Sequence, residues 1–459
     1  MRIMLVHPGP RVAWGPEHVG LESLAAMVPD CDVRLVDMRF ELRPFKRLVG
    51  AFRPHLVGVT ACTSQVYRAR RLLRQAKAAA PQAFTVVGGV HASLLPEDFD
   101  LPEVDAVCIG MGEDTFRGLV ECLDRRGDLR AVDGLALRNQ GRLLRNRPRA
   151  FPASLDGYPP PKRDYRSRVH GGTLAALFDK SRTFVSTSRG CPHRCTFCSL
   201  WKQMGERYIS RSPEKVVAEL AEIPTRVIHF AEANPFGDLE RIGQLADRLA
   251  EARLAKTFVM DVRSSTVVSH PELIARWRRV GLEHAPVGLE FVDDARLAAA
   301  DKKISVTKHE RALSILAELG IKVTGHFQID PDFDRDDFER LGDFIEAHDI
   351  YWPLVGMTTP LPGTPLLEQR AARLLTDNYE LFDLRHLVTD TRLEREQFWR
   401  EVFRLQRRVN RKMAARASRP VELGFRLGFE LYALGRRNGH HLPRAPERDT
   451  ALSRLLQRN

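Results

Sequence analysis

Two successive runs of alternating strand and helix predict an α/β protein: a doubly wound parallel sheet, then a partial (β/α)6 barrel, then a helical C-terminal region. Three features carry that prediction. Five short Val- and Ile-rich runs, bounded by Gly, Pro or polar residues, lie in the first part of the chain. Six more follow from Thr183, and a loose Arg- and Pro-rich stretch separates the two series.

In the first series the runs are Ile3–Val6, Val33–Val36, Leu56–Val59, Phe84–Val87 and Ala106–Ile109. Helical spacing fills the gaps, as in Val66–Ala76. In open sheets of this kind ligands sit beyond the carboxyl ends of the strands. The loops expected there are Thr60–Ser64, Gly88-Gly89-Val90-His91 and Gly110–Asp114. Residues 1–133 are read as this domain. Residues 134–180 are read as a linker, on the Arg-rich run Arg142–Arg149 and on Gly157-Tyr-Pro-Pro-Pro-Lys162.

Strands of the second series are Thr183–Thr187, Arg226–Phe230, Thr257–Val262, Ala285–Phe291, Lys322–Ile329 and Tyr351–Met357, within a domain read as 181–375. Ser212-Pro213 announces one helix, serine as N-cap and proline in the first turn. Six units are fewer than a closed barrel's eight, so an open barrel is expected, its site at the C-terminal strand ends. Glu232, Arg263, Glu290 and Asp330 end successive strands. A carboxylate at such a position is also a common helix N-cap; repetition at one end of the barrel favours chemistry. Residues 376–459 read as helical and basic, although Val421–Gly435 fits alternation almost as well.

Composition narrows the function classes. With 43% hydrophobic and 28% charged residues the chain is a folded globular one, and no apolar run is long enough to span a bilayer. Its first residues read as a strand and not as a signal peptide. Seven cysteines, an odd number with three crowded together, fit a reducing cytoplasm and a metal site better than a disulfide framework. Of the net charge of +12, most lies in the tail, where 14 basic residues from Glu401 onward face 5 acidic ones. No nucleic-acid signature accompanies it, so nucleic acid is not an expected partner.

Cys191-Pro-His-Arg-Cys195-Thr-Phe-Cys198 follows the first strand of the second series. Structural zinc commonly takes two separated short-spaced pairs, and no second pair is present. Three thiolates suit a four-iron cluster that keeps one iron open, with zinc or reactive thiols as the alternatives.

This spacing, with Phe197 before the last cysteine, resembles the radical S-adenosylmethionine (SAM) superfamily. The resemblance implies that Cys191, Cys195 and Cys198 hold a 4Fe-4S cluster. SAM would chelate the open iron and yield a deoxyadenosyl radical after one-electron reduction. It further implies that Glu232 receives the SAM amino group, Arg263 its carboxylate and Glu290 its ribose. A doubly wound domain ahead of such a barrel resembles the cobalamin-dependent members of that superfamily. Gly88, Gly89 and His91, and Gly112 with Glu113, fit that likeness, as do Thr60, Thr63 and Ser64 as partners for corrin amides. It implies a Rossmann-like cobalamin-binding domain; the D-x-H-x-x-G signature of histidine-ligated cobalt is missing, so the cobalt is expected to lack a protein histidine on its lower face, and no G-x-G-x-x-G follows the first strand, which speaks against the alternative of a dinucleotide-binding domain.

Together the modules resemble cobalamin-dependent radical SAM methyltransferases. Gln328-Ile-Asp-Pro331, Thr359–Thr364 and Phe382–His386 are similar to hopanoid C-3 methylases. The expected activity is methylation of an unactivated carbon in a small-molecule or lipid substrate. The electron would come from a reductase or from a flavodoxin or ferredoxin. Rivals are oxidative cyclisation or rearrangement with the same cofactors, and a non-catalytic cobalamin- or nucleic-acid-binding protein. The expected location is cytoplasmic, with the basic C-terminus either docking peripherally on anionic membrane or forming a solvated helical face.

Overall fold

The computed structural model describes residues 1–9, 18–139, 141–163, 182–415 and 450–452. Its first sheet has seven strands: β1 (Arg2–His7), β2 (Asp32–Asp37), β3 (Leu56–Thr60), β4 (Phe84–Gly88), β5 (Ala106–Cys108), β6 (Leu135–Asn139) and β7 (Arg142–Arg145). They lie in the order β2-β1-β3-β4-β5-β6-β7. The first five run parallel, so every one of their carboxyl ends opens on the same side. Apolar layers cover both faces, which is why these strands read as unbroken Val and Ile runs and not as alternation.

Part of the expected linker is sheet. Strands β6 and β7 form an antiparallel hairpin on β5, with Leu135 and Ala136 buried. The arginines that suggested a linker mark an edge strand: Arg145 pairs with Glu97 beside it, and charge protects an unpaired edge.

The second sheet takes β8 (Arg182–Val185), β11 (Val227–Phe230), β12 (Thr257–Val259), β13 (Leu282–Glu290), β14 (Lys322–Ile329) and β15 (Trp352–Met357) in strict chain order, all parallel. Among the described residues β8 and β15 are its edges, as an open six-unit barrel requires. Between β8 and β11, β9 (Ser188–Gly190) and β10 (Tyr208–Ser210) pair antiparallel and frame the cysteine loop. Ser212 caps the next helix through Lys215 N, with Pro213 in its first turn, as expected.

Beyond Gly363 the expected helical region departs from the prediction. A short helix, Pro365–Arg370, gives way to irregular chain that returns to the first domain, where Tyr379, Phe382 and Val388 pack into its core. Helicity resumes at Arg395–Ala414, on the barrel. There Arg408 meets Glu339, Asp343 and Glu346, and Lys412 donates to backbone carbonyls. Val421–Gly435 lies outside the described residues. No described helix is long and apolar enough to cross a membrane.

Candidate functional site

A cavity of about 800 Å³ lies between the two domains, where both sheets present their carboxyl ends. Its first wall carries Thr60 at the end of β3, Gly88 and Gly89 at the end of β4, and Gly110, Gly112 and Glu113 after β5. Gly89 is fixed there twice over. Its φ is +102°, and an added Cβ would stand 2.7 Å from Thr60 Oγ1. Deeper in the cavity Gly58 lies flush with Leu5, where a Cβ would come within 2.8 Å of Leu5 Cδ2. A floor stripped of side chains admits a flat, wide ligand close to backbone.

The opposite wall is polar. Ser186 precedes β9 and Ser188 and Arg189 lie on it, while His229 on β11, then Glu232 and Asp261 beyond β11 and β12, line the same space. Glu232 is buried and accepts from Thr187 N at 3.2 Å and from the Thr187 hydroxyl. Burial pushes its carboxyl up, and burial with the Glu232 charge pushes Asp261 up to about 7. Desolvation brings His229 down to about 4, and its Nδ1 is buried without a partner.

The cysteine loop borders this cavity: Gly190 before it, and Leu200 and Gln203 after it, are on the wall. All three cysteines are free thiols. Asn234 Nδ2 stands 3.6 Å from Cys191 Sγ and Arg263 Nη1 3.7 Å from Cys195 Sγ. Asn234 Oδ1 and Arg263 Nε are buried without a partner, polar atoms prepared for a group that the protein itself does not supply. Burial pushes the Cys198 thiol up. Soft sulfur donors beside cationic and amide N–H groups fit a cluster of thiolate-bound iron.

Arg263, Glu290 and Phe197 gather around one residue that the sequence did not single out. Lys302, 5% exposed, donates to Glu290 Oε1 at 3.0 Å, accepts from Arg263 Nη2 through its carbonyl at 2.6 Å, and has Nζ 5.9 Å from the Phe197 ring centre. Gln328 Nε2 donates to Glu290 Oε2 at 2.6 Å. Burial alone would raise Glu290, but Lys302 and these hydrogen bonds hold its carboxyl below the usual range. Both carboxylate oxygens of Glu290 thus have protein partners already.

Other expected site residues serve the scaffold. His91 is fully buried, Nε2 2.9 Å from Asp98 Oδ2 and Nδ1 3.2 Å from Thr63 Oγ1. Neither it nor Thr63 or Ser64 is on the cavity wall. Tyr379 OH bonds the same Asp98 at 2.8 Å, so the returning C-terminal segment braces the glycine loop from behind. Glu113 reaches the wall but is ion-paired with Arg189 of the second domain, and Tyr158 OH ties Asp114 at 2.7 Å. His18, Asp261 and His229 reach the cavity without a motif to announce them; their shared signal is position just before a helix or at a strand's end.

A glycine-floored parallel sheet facing a partial barrel with a three-cysteine loop defines a cobalamin-binding module joined to a radical SAM barrel. Residues 16–120 match the B12 binding domain and residues 185–345 the radical SAM superfamily. Hopanoid C-3 methylase of Methylococcus capsulatus is 31% identical over 432 residues, covering 90% of this chain and 81% of that protein. Anaerobic magnesium-protoporphyrin IX monomethyl ester cyclase of Rubrivivax gelatinosus is 26% identical, covering 83% of this chain and 71% of that one. The cobalamin-dependent SAM radical enzyme OxsB, solved with aqua-cobalamin and SAM bound, shares the fold at a TM-score of 0.70 and 18% identity, over 90% of this chain and 66% of that one. The chain belongs to the cobalamin-dependent radical SAM methyltransferase family. Its cofactors are a 4Fe-4S cluster, SAM and cobalamin.

Proposed function

We propose that this enzyme methylates an unactivated carbon of a small lipid-like substrate, of the polycyclic triterpenoid class named by the hopanoid methylase. The observation that carries this reading is a cavity walled by both domains, which lets one substrate carbon meet two cofactors in one space. When bound, the cluster and SAM supply a hydrogen-abstracting radical and cobalamin supplies the methyl group.

The chain's residues hold and orient. Cys191, Cys195 and Cys198 ligate iron, with Arg263 and Asn234 beside the sulfurs. Glu232 accepts the SAM amino group, and Arg263 meets its carboxylate. Glu290 acts through Lys302 and Gln328, stiffening the SAM side of the barrel. Thr60, Gly88, Gly89 and Gly112 form the corrin floor, and the Glu113–Arg189 pair fixes the spacing of the two walls.

Anaerobic reconstitution with SAM, cobalamin, a flavodoxin–reductase electron donor and a hopanoid tests the reading. The expected products are 5′-deoxyadenosine, S-adenosylhomocysteine and a hopanoid heavier by one methylene. An unchanged product mass would favour the cyclisation or rearrangement that the Rubrivivax relative represents. For the basic C-terminus, the engagement of Arg408 and Lys412 with the barrel favours an internal role over membrane docking. Salt-sensitive co-sedimentation with anionic liposomes would reverse that preference.

A further inference from the structure

We propose that His229 and Asp261 together anchor one hydroxyl group of the substrate, so that the enzyme selects an alcohol over the hydrocarbon of the same skeleton. The inference rests on the reading of a lipid-like substrate in this cavity and adds to it the chemical group that the barrel holds.

Both residues face the inside of the barrel. Val185 on β8, Ile228 and Phe230 on β11, and Phe258 and Met260 along β12 pack into the core with the helices. Alternation turns the residues between or beside them, Phe184, His229 and Asp261, to the opposite face, where all three line the cavity. Asp261 lies beyond the end of β12, yet strand pairing continues there. Met260 N donates to His284 O at 3.1 Å and Val262 N to Pro286 O at 2.9 Å. Phe184 and His229 are register partners, and their rings stack at 4.7 Å between centroids and 25° between planes. That contact fixes the plane of the imidazole.

His229 Nε2 stands 4.0 Å from Asp261 Oδ2. The gap is too wide for a direct hydrogen bond, but an oxygen set between the two can lie about 2.8–2.9 Å from each. Desolvation and the nearby Arg182 bring the ring's pKa down to about 4, so His229 is neutral near pH 7. The Asp261 carboxylate favours the ring proton on Nε2, which makes His229 a donor and Asp261 an acceptor toward the gap. An ammonium could not accept from Nε2–H, and a carbonyl could not donate to Asp261. A hydroxyl does both. Burial and the Glu232 charge raise Asp261 to about 7, the state of a carboxylate short of donors, and no other described residue donates to it. The neighbouring polar groups on this wall are engaged: Ser186 Oγ donates to Ser188 O at 3.3 Å, Glu232 accepts from Thr187, and Arg189 is paired with Glu113.

Reconstituted holoenzyme is offered three tritiated probes of one skeleton from a cyclodextrin carrier. Two are hopanes with a single hydroxyl, on the terminal ring or on the side chain, and the third is the hopane with none. Retention on the enzyme and kcat/KM for methylation are measured for each. One alcohol is expected to exceed the hydrocarbon by about 10- to 100-fold in both. His229→Phe and Asp261→Val bring that ratio close to one, while His229→Gln, which keeps an N–H donor, retains most of it. Damage to the fold lowers all probes together and leaves the ratio unmoved, so the ratio reads the anchor alone. Equal handling of the three probes by the unmodified enzyme overturns the anchor and leaves hopanoid methylation standing. A preference that survives both His229→Phe and Asp261→Val overturns the assignment to these residues, and so does loss of SAM retention in Asp261→Val, which would give the carboxylate to the cofactor. Failure to retain or methylate any of the probes overturns the hopanoid reading and the anchor with it.

Discussion

The two walls of the cavity reach the same end by opposite means. The first-domain wall is apolar and trimmed: Gly58, Gly88, Gly89, Gly110 and Gly112 expose backbone beside Leu24, Val86 and Phe116, with Thr60 as its small hydroxyl. The barrel wall adds them, setting Glu232, Asp261, His229 and Arg189 on one surface. A wide, rigid cofactor is bound by area and needs a close-fitting floor. A small zwitterion at an iron corner is bound by few groups and needs charges held in place. The defects are shared by both walls: positive-φ glycines with no room for a Cβ stand on each, Gly89 and Gly190, and so do orphaned buried polar atoms, Glu113 Oε2 on the first and His229 Nδ1 on the second.

The largest effect expected from breaking this comparison is on the charged side. Cys195→Ala should abolish cluster incorporation and with it deoxyadenosine formation, read as loss of the iron–sulfide absorbance and of turnover, while cobalamin binding survives. If cobalamin were lost together with the iron, the two walls would not be chemically separate. Second comes the tie between them. Glu113→Gln leaves the half-buried Arg189 without its counter-charge, which should cost about 1–3 kcal/mol in denaturant unfolding. Arg189→Met with Glu113→Leu should recover much of that loss, since a packed apolar pair can replace a buried ion pair.

A smaller loss is expected on the glycine side. Gly89→Ala forces a Cβ into a positive-φ position against Thr60 Oγ1, at about 1–3 kcal/mol of strain, and should weaken cobalamin retention without touching iron content. The double variant Gly89→Ala with Thr60→Gly should relieve the Thr60 contact but neither the 2.9 Å approaches to Ala61 N and O nor the strain in φ, and so recover little of the affinity.

The smallest effect sharpens the comparison through pH. His309 is fully buried in the barrel, Nδ1 2.7 Å from Ser264 Oγ, and desolvation lowers its pKa from 6.5 to about 4. The unfolded chain therefore binds a proton more readily, and stability is lost as pH falls from 6.5 towards 4. Asp261 acts in the opposite sense, since its carboxyl is raised from 3.8 to about 7 and gains stability on acidification across that window. Between pH 7 and 5.5, His309→Leu should flatten the fall in apo-protein stability by about 1 kcal/mol, and Asp261→Asn should steepen it, both measured by thermal or urea unfolding.

Local pattern alone determined a good deal here. Short Val- and Ile-rich runs gave nine of the eleven parallel strands within a residue or two; β12 ends three residues short of Thr257–Val262, and β13 begins three residues before Ala285. The cysteine spacing and Phe197 gave the chemistry of the loop, because ligand spacing on one loop is itself a sequence property. Hairpin β6–β7 was hidden because an edge strand next to solvent carries arginine as readily as a linker does. Which residues meet across the chain was decided only by folding. Lys302 joins Glu290 and Arg263 through a loop whose position no motif records. His91 turned from a cofactor candidate into a brace because Asp98 and Tyr379, 281 residues apart, close on it. His18 reaches the cavity stacked on His7 at the end of β1, with Arg39 from beyond β2 donating to its Nε2, a grouping that exists only once the sheet has formed.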